Sequence, residues 1–552
     1  MGNLRSETVK AAICLLVPAS WQLSVLFWPG ERLIQLINND DTFLYLAVAH
    51  NWAHHGFPSF DRIHTTNGFQ LPWQMVLTAV AWFTSDRMLL ARLALMLCAV
   101  LNFAAGVVLF RAVRRIAGRS SAWISLATWG CYLLAMQPAM IGMENALHGF
   151  VGAYVVCAWC RLYTAGAVRP HLLWATSLLL GLNAAVRLDS GMISLCVFLH
   201  ILWLARVRGW RTGPVLANLI LPGIALGAVY ALVNIYIAGT VTPISGSAKM
   251  VYAARYFEGV PQIEVVKESV WRCVLPWVRS LSSVVSARPW LDALSDLIGR
   301  TPARLLVALT VLALLVLTGM VTCVRIIRHR DSCWPIVAIL GAANTLHVVL
   351  MVVVLRQFSC ARWYYSFLVL FWCMLFGCAF GAVLNGPMKH IGAVFTARHV
   401  KVAVVGLLTL TFTVDIYKFC LRPVDENLHI LRWQTGRWLG QSDLPAEARI
   451  GAWNAGALNY FSGRHVISLD GLMNDRHFLD RLRTGRPILD YLHEEGVEYI
   501  LDYNARDATM PRKYDWDEEE TFRALWPWSD VQLIRTFEMP DIRTIYLIKI
   551  PS

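Results

Sequence analysis

Residues 11–42 read AAICLLVPASWQLSVLFWPGERLIQLINNDDT. The part from Ala11 to Pro29 is apolar, is long enough to cross a hydrocarbon layer of about 30 Å as a helix, and lacks a small-residue cleavage site. It reads as an uncleaved first spanning helix. Asn38, Asn39, Asp40, Asp41 and Thr42 follow directly, and a helical run from Thr42 to His55 comes after them. One helix start needs one carboxylate cap, whereas two adjacent carboxylates repel, so the second aspartate has no structural task. A spanning helix that delivers paired carboxylates to a membrane face sets the terms on which the rest of the chain is read.

The remainder has the same character. Of 552 residues, 57% are hydrophobic and 15% charged, with a mean hydropathy of +0.50. Soluble domains carry about 25% charged residues, so this chain has too little polar surface to dissolve. Twenty-three Trp and 17 Tyr suit membrane interfaces. The net charge of +13 is unevenly spread: residues 421–552 hold 16 Lys and Arg against 21 Asp and Glu, leaving 33 against 15 for residues 1–420. The basic excess therefore belongs to topology-setting loops and not to a nucleic-acid footprint. The thirteen Cys form no disulfide framework or zinc spacing, and Cys157 and Cys160 read as small hydrophobes inside a helix.

Apolar runs of spanning length begin near Ala11, Met88, Ala122, Asn145, Leu172, Met192, Pro214, Leu305, Pro335, Tyr365 and Val402. With Arg5 and Lys10 cytoplasmic, alternate connections hold the basic residues: Arg111 to Arg119, Arg161 and Arg169, Arg206 to Arg211, Arg325 to Arg330, and Lys389 to Lys401. That alternation satisfies the positive-inside rule. Leu71 to Phe83 is apolar but too short to span, and reads as an interfacial helix. From about Leu421 short β-like runs (Arg449 to Trp453, His465 to Leu469, Val497 to Tyr503, Val531 to Phe537, Arg543 to Ile550) alternate with helical patterns at Asp475 to Arg483 and Pro487 to Glu495. The fold class expected is a polytopic α-helical membrane protein of about eleven transmembrane helices with a small C-terminal α/β extracytoplasmic domain. Residues 1–420 form the membrane domain, with a first outer loop at 30–86 that carries interfacial helices and a long outer loop at 239–303, and residues 421–552 form the tail domain. An odd number of spans places the tail outside the cytoplasm.

With this topology the unusual polar clusters fall on one face. They are Asp40-Asp41, the stretch His64 to Gln70 containing Asn67, Gly142-Met143-Glu144-Asn145, Arg187-Leu188-Asp189-Ser190, Pro243 to Lys249, and Arg356 through Arg362-Trp363-Tyr364-Tyr365. Each alone has an ordinary reading as a cap, a local ion pair or an interface anchor. Together they read as the lining of a polar cavity, because ionisable groups at membrane helix ends are costly to desolvate. Arg187, Lys249, Arg356 and Arg362 are candidate phosphate partners, and an aspartate a candidate general base. Cationic side chains can neutralise a departing phosphate without a cofactor. A divalent metal is the alternative, with His50 and His54, one turn apart, its candidate ligands.

The order of these motifs, with Thr66-Asn67-Gly68-Phe69 before a Pro-Trp interfacial helix, resembles the GT-C superfamily of integral membrane glycosyltransferases, among them protein O-mannosyl-, aminoarabinose- and arabinofuranosyltransferases. The tail stretches Ala455 to Arg464 and Leu469-Asp470-Gly471-Leu472 are similar to those of bacterial members. The resemblance implies a sugar taken from a polyprenyl-phosphate donor on the outer leaflet of the plasma (inner) membrane and passed, with inversion, to an acceptor hydroxyl on a glycan, lipid or protein. It implies Asp40 or Asp41 as the base, with Asp40 favoured by analogy. From the polar clusters themselves, Asn67, Glu144, Arg187, Asp189, Lys249, Arg356, Arg362 and Tyr364 are the candidate substrate- and phosphate-binding residues, and no metal ligand is assigned. The Trp-Trp-Asp-Tyr-Gly motif of the superfamily's oligosaccharyltransferases is absent. The competing function is a transporter or flippase of an amphipathic, lipid-linked substrate, for which repeat symmetry and midplane polar residues are the expected marks.

Overall fold

The computed structural model describes residues 2–284 except 168 and 257–259, then 333–355, 362–385, 397–503 except 422, 425, 426 and 487, and finally 532–539 and 543–550. Helix α1 (Gly2–Leu23) continues into a 3₁₀ turn at Ser24–Phe27. Its Ala11, Leu15 and Ala19 are buried at four-residue spacing, while Val9, Ile13, Leu16 and Val17 are exposed. One stripe therefore packs inward and the other is left for a nonpolar solvent. Short α2 (Gly30–Ile37) stops at Asn38, whose φ of 41° is left-handed, and α3 (Asp40–His55) starts two residues later with Asn39 as its cap.

Helix α4 (Leu71–Ala81) has 11 residues, about 16 Å, half of what a span needs. Helix α5 (Arg87–Leu134) has 48 residues interrupted at Gly118, where φ is 88°. The two halves fold back on one another: the Trp129 indole donates to the Asn102 carbonyl at 3.0 Å, and the Phe110 and Trp123 rings lie 5.1 Å apart. The runs expected from Met88 and from Ala122 are thus the arms of one hairpin whose Arg-rich turn contains the glycine. A single turn α6 (Met136–Ala139) leads to α7 (Asn145–Tyr163), α8 (Pro170–Val186), α9 (Gly191–Val207) and α10 (Thr212–Ala238). Next come α11 (Ile244–Tyr256), α12 (Gln262–Val284), α13 (Trp334–Val349), α14 (Ser366–Asn385) and α15 (Ala397–Ile416).

Among the described residues, five segments are long and apolar enough to cross a membrane: Leu4–Phe27, Arg87–Leu134, Leu188–Val207, Thr212–Ala238 and Trp334–Val354. The span expected from Leu305 lies outside the described residues. Pro170–Val186 and Ser366–Ala382 are apolar but shorter.

The tail opens with α16 (Leu428–Gln441), and among the described residues five strands lie where the alternation predicted them: β1 (Arg449–Ala452), β2 (His465–Ser468), β3 (Tyr499–Tyr503), β4 (Gln532–Met539) and β5 (Arg543–Lys549). Their order is β2-β1-β3-β5-β4. β1 runs parallel to β2 and β3, and β5 is antiparallel to β3 and β4. Helices α17 (Gly456–Ser462), α18 (Arg476–Thr484) and α19 (Ile488–Glu494) accompany the strands. Ile450, Ala452, Val466, Ile467, Ile500 and Leu501 are buried in its core. The tail packs on the membrane domain through polar ties, including Asn459 to the Phe60 carbonyl at 2.7 Å and Thr66 to the Asn474 carbonyl at 2.8 Å.

Candidate active site

An open cavity of about 400 Å³ is lined by Asp41, Tyr45, Gln70, Met143, Glu144, Arg187, Ser245, Lys249, Tyr364, Leu472 and Met473, with Leu44 and Gly68. Residues from the starts of α3 and α11, the turns before α7 and α9, the 3₁₀ turn Arg362–Tyr365, and the tail therefore meet at one place. Local bonding explains why. The Asn39 amide donates to the Met143 sulfur at 2.8 Å, and the Thr42 hydroxyl to the Ile141 carbonyl at 2.6 Å. These bonds hold the 141–144 turn against the start of α3. Tyr45, one helical turn beyond Asp41 and so on the same face, accepts from the Gln70 amide at 3.0 Å.

The charged groups are arranged in a chain. Arg187, 2% exposed, pairs with Glu144 through one terminal nitrogen and reaches Asp189 through the other at 3.1 Å. His347 meets the same Asp189 oxygen at 3.0 Å. The Arg187 guanidinium lies 4.3 Å above the centre of the Tyr364 ring, and the Tyr364 hydroxyl accepts from Lys249 at 3.0 Å. Burial raises the Glu144 carboxyl above its ordinary range against the opposing pull of Arg187. Burial alone would lower the Lys249 ammonium, but Tyr364 and Asp41 hold it above its ordinary value. The cavity thus places a carboxylate, a lysine ammonium and a phenol around one volume, with Arg187 behind them held by two acids.

Asp41, Glu144, Arg187, Lys249 and Tyr364 are brought together, hundreds of residues apart in sequence. Asp40 is not among the lining residues. Its carboxylate is buried and accepts from the backbone amides of Gly456 and Ala457 at 2.8 and 3.0 Å. Burial lifts its pKa to about 6 against the attraction of Arg432 and those two amides. Asn67 is also outside the cavity: it donates to Asn234 at 2.9 Å and Thr240 at 3.0 Å and accepts from the Ile244 amide at 3.1 Å, a clamp between the two outer loops. Asp189 stands behind Arg187, away from the lining. Arg356 and the Arg362 side chain lie outside the described residues.

Gln70 and Ser245 belong to the polar clusters read from the sequence, although neither was singled out there. Tyr45, Met473 and His347 were not legible as site residues, and of these only Tyr45 carried a signal, its four-residue spacing from Asp41. The His50 and His54 rings lie 4.6 Å apart, tilted by 52°, with ring nitrogens near the carbonyls of Ser85 and Thr84. Among the described residues no three His, Cys, Asp or Glu are grouped to hold a metal ion.

Residues 424–547 match a family described as a domain of unknown function, DUF8728. No curated protein matches the chain. Among solved structures, the oligosaccharyltransferase of Archaeoglobus fulgidus in complex with Zn and sulfate is similar at 12% identity and a TM-score of 0.52, over 88% of this chain and 67% of that one. ArnT from Cupriavidus metallidurans bound to undecaprenyl phosphate aligns over 98% of both chains at 11% identity with a TM-score of 0.40. The architecture of this chain, a helical body with a small α/β tail, is similar in fold to that oligosaccharyltransferase.

Proposed function

We propose that the chain is a membrane glycosyltransferase that moves one sugar from a polyprenyl-phosphate donor to an acceptor hydroxyl of a glycan, lipid or protein, with Asp41 as the general base. The observation that carries this reading is the shared lining: Asp41 and Lys249 face the same cavity, so a base and a phosphate-binding cation are presented to one substrate. The acceptor oxygen attacks the anomeric carbon and gives its proton to Asp41. The new C–O bond forms as the bond to the phosphate oxygen breaks, and the electron pair leaves with the polyprenyl phosphate. A single displacement inverts the anomeric centre. Lys249 offsets the charge that grows on the leaving phosphate, and the Tyr364 hydroxyl orients Lys249. The fold shared with an oligosaccharyltransferase supports the reaction class.

The same reading has eleven spans in residues 1–420, a cytoplasmic N-terminus, and the cavity and the tail of residues 421–552 on the extracytoplasmic side of the plasma (inner) membrane. The alternation of basic loops supports it.

The test is transfer from radiolabelled polyprenyl-phosphate sugars by purified protein. Asp41→Asn should lose about 10²- to 10⁴-fold in rate while still binding donor. Undiminished transfer by Asp41→Asn ends the assignment. For orientation, a cysteine placed on the tail surface should react with an impermeant thiol reagent in intact cells, and protection reverses the topology.

A further inference from the structure

Asp40, the acid that does not face the cavity, carries an inference that rests on the reading of Asp41 as base. Both oxygens of the Asp40 carboxylate are taken by backbone amides of the tail, Gly456 and Ala457, across 416 positions of sequence. The approach is close: a Cβ on Gly456 would stand 2.4 Å from the Asp40 carbonyl oxygen and 2.8 Å from its carboxylate. Only glycine fits there. A second contact fixes the same two bodies, since a Cβ on Gly68 would stand 1.9 Å from the Leu472 carbonyl oxygen. Leu472 and its neighbour Met473 line the cavity itself. Consecutive residues of a helix point about 100° apart. With Asp40 held on the tail at the first residue of α3, the direction of Asp41 is set.

We propose that Asp40 is a positioning residue: by gripping Gly456 and Ala457 it fixes the rotation of α3 that aims Asp41 into the cavity, which makes the tail domain a working part of the active site.

The test compares Asp40→Asn, Gly456→Ala and Asp41→Asn in the full chain, by donor kinetics and by amide hydrogen exchange. Gly456→Ala leaves the sequence of the membrane domain unchanged and decides the matter if Asp40→Asn fails to fold. Both docking variants should speed exchange at the starts of α3 and α17 and lower kcat by up to about 100-fold. They should leave donor KM and the acid limb of the pH–rate profile in place, because Asp41 still takes the proton. Asp41→Asn should lower kcat without altering exchange. Faster exchange in Gly456→Ala with unchanged kcat overturns the proposal, as does loss of the acid limb in Asp40→Asn, which would make Asp40 the base. If the wild-type chain transfers no sugar, the enzymatic reading fails separately, and the coupling is judged by exchange: unchanged exchange in α3 of Gly456→Ala overturns it, faster exchange supports it.

Discussion

The phenol of Tyr364 touches both cations of the cavity, accepting from Lys249 at 3.0 Å and lying under the Arg187 guanidinium at 4.3 Å. The two cations differ in what already neutralises them. Arg187 is hydrogen-bonded to two carboxylates, Glu144 and Asp189, whereas Lys249 has the Tyr364 hydroxyl as its hydrogen-bond partner among the described residues and feels Asp41 through its charge. An arriving phosphate therefore gains more from Lys249.

Lys249→Met should raise the donor KM by about 10- to 100-fold, the weight of one hydrogen bond to a charged group at about 1.5–3 kcal/mol, and should lower kcat as well, because the charge on the phosphate grows as its bond to the sugar breaks. Steady-state kinetics against donor concentration check this. A KM that stays at the wild-type value moves phosphate recognition away from Lys249.

Arg187→Met should act mainly on stability. It leaves Glu144 and Asp189 buried without their cation, a loss of about 3–5 kcal/mol. Thermal unfolding in detergent should show a large drop for Arg187→Met and a smaller one when Glu144→Gln is added, since one orphaned charge is then removed. Equal drops would mean that water already reaches Glu144.

Much of this site was legible because ionisable residues at the ends of apolar helices are rare. Asp41, Glu144, Arg187, Lys249 and Tyr364 stood out on that ground and do converge. The strand pattern of the tail was legible for a similar reason, since short alternating runs contrast with long apolar ones. What sequence left open depended on partners far along the chain. Asp40 and Asp41 are the same residue type, and their environments differ only because Gly456 and Ala457 fold onto one of them. Asn67 looked like a ligand-binding amide because a buried clamp and a binding group share the same chemistry. His347 sits in an apolar helix with nothing nearby in sequence to mark it, and its importance comes from Asp189, which belongs to another helix pair.

Transfer should survive removal of divalent ions. The reading gives the leaving phosphate to Lys249, and among the described residues no group of three potential ligands surrounds a point near the cavity. Full activity in excess EDTA is the expected result. A loss restored by one added divalent ion would assign phosphate neutralisation to a metal and leave Lys249 a secondary part.

The seam between the first outer loop and the tail should weaken in alkali through His64. Its Nδ1 lies 2.7 Å from Asp61 and its Nε2 3.0 Å from Glu495, so one imidazolium bridges an acid from each body. Burial alone would lower its pKa, but Asp61 and Glu495 outweigh burial and lift it to about 9, from an ordinary 6.5. A raised value in the folded state means that the contribution is whole below 6.5 and is lost as pH climbs through 9, by at most about 1.4 kcal/mol for each unit crossed. Thermal unfolding of the wild type should therefore fall more steeply between pH 7 and 9.5 than that of His64→Gln, whose amide keeps no titrating proton. Lysines near their own pKa affect both proteins alike, so the difference in slope is the readout. Parallel slopes would show that the bridge is not charged when the tail is docked.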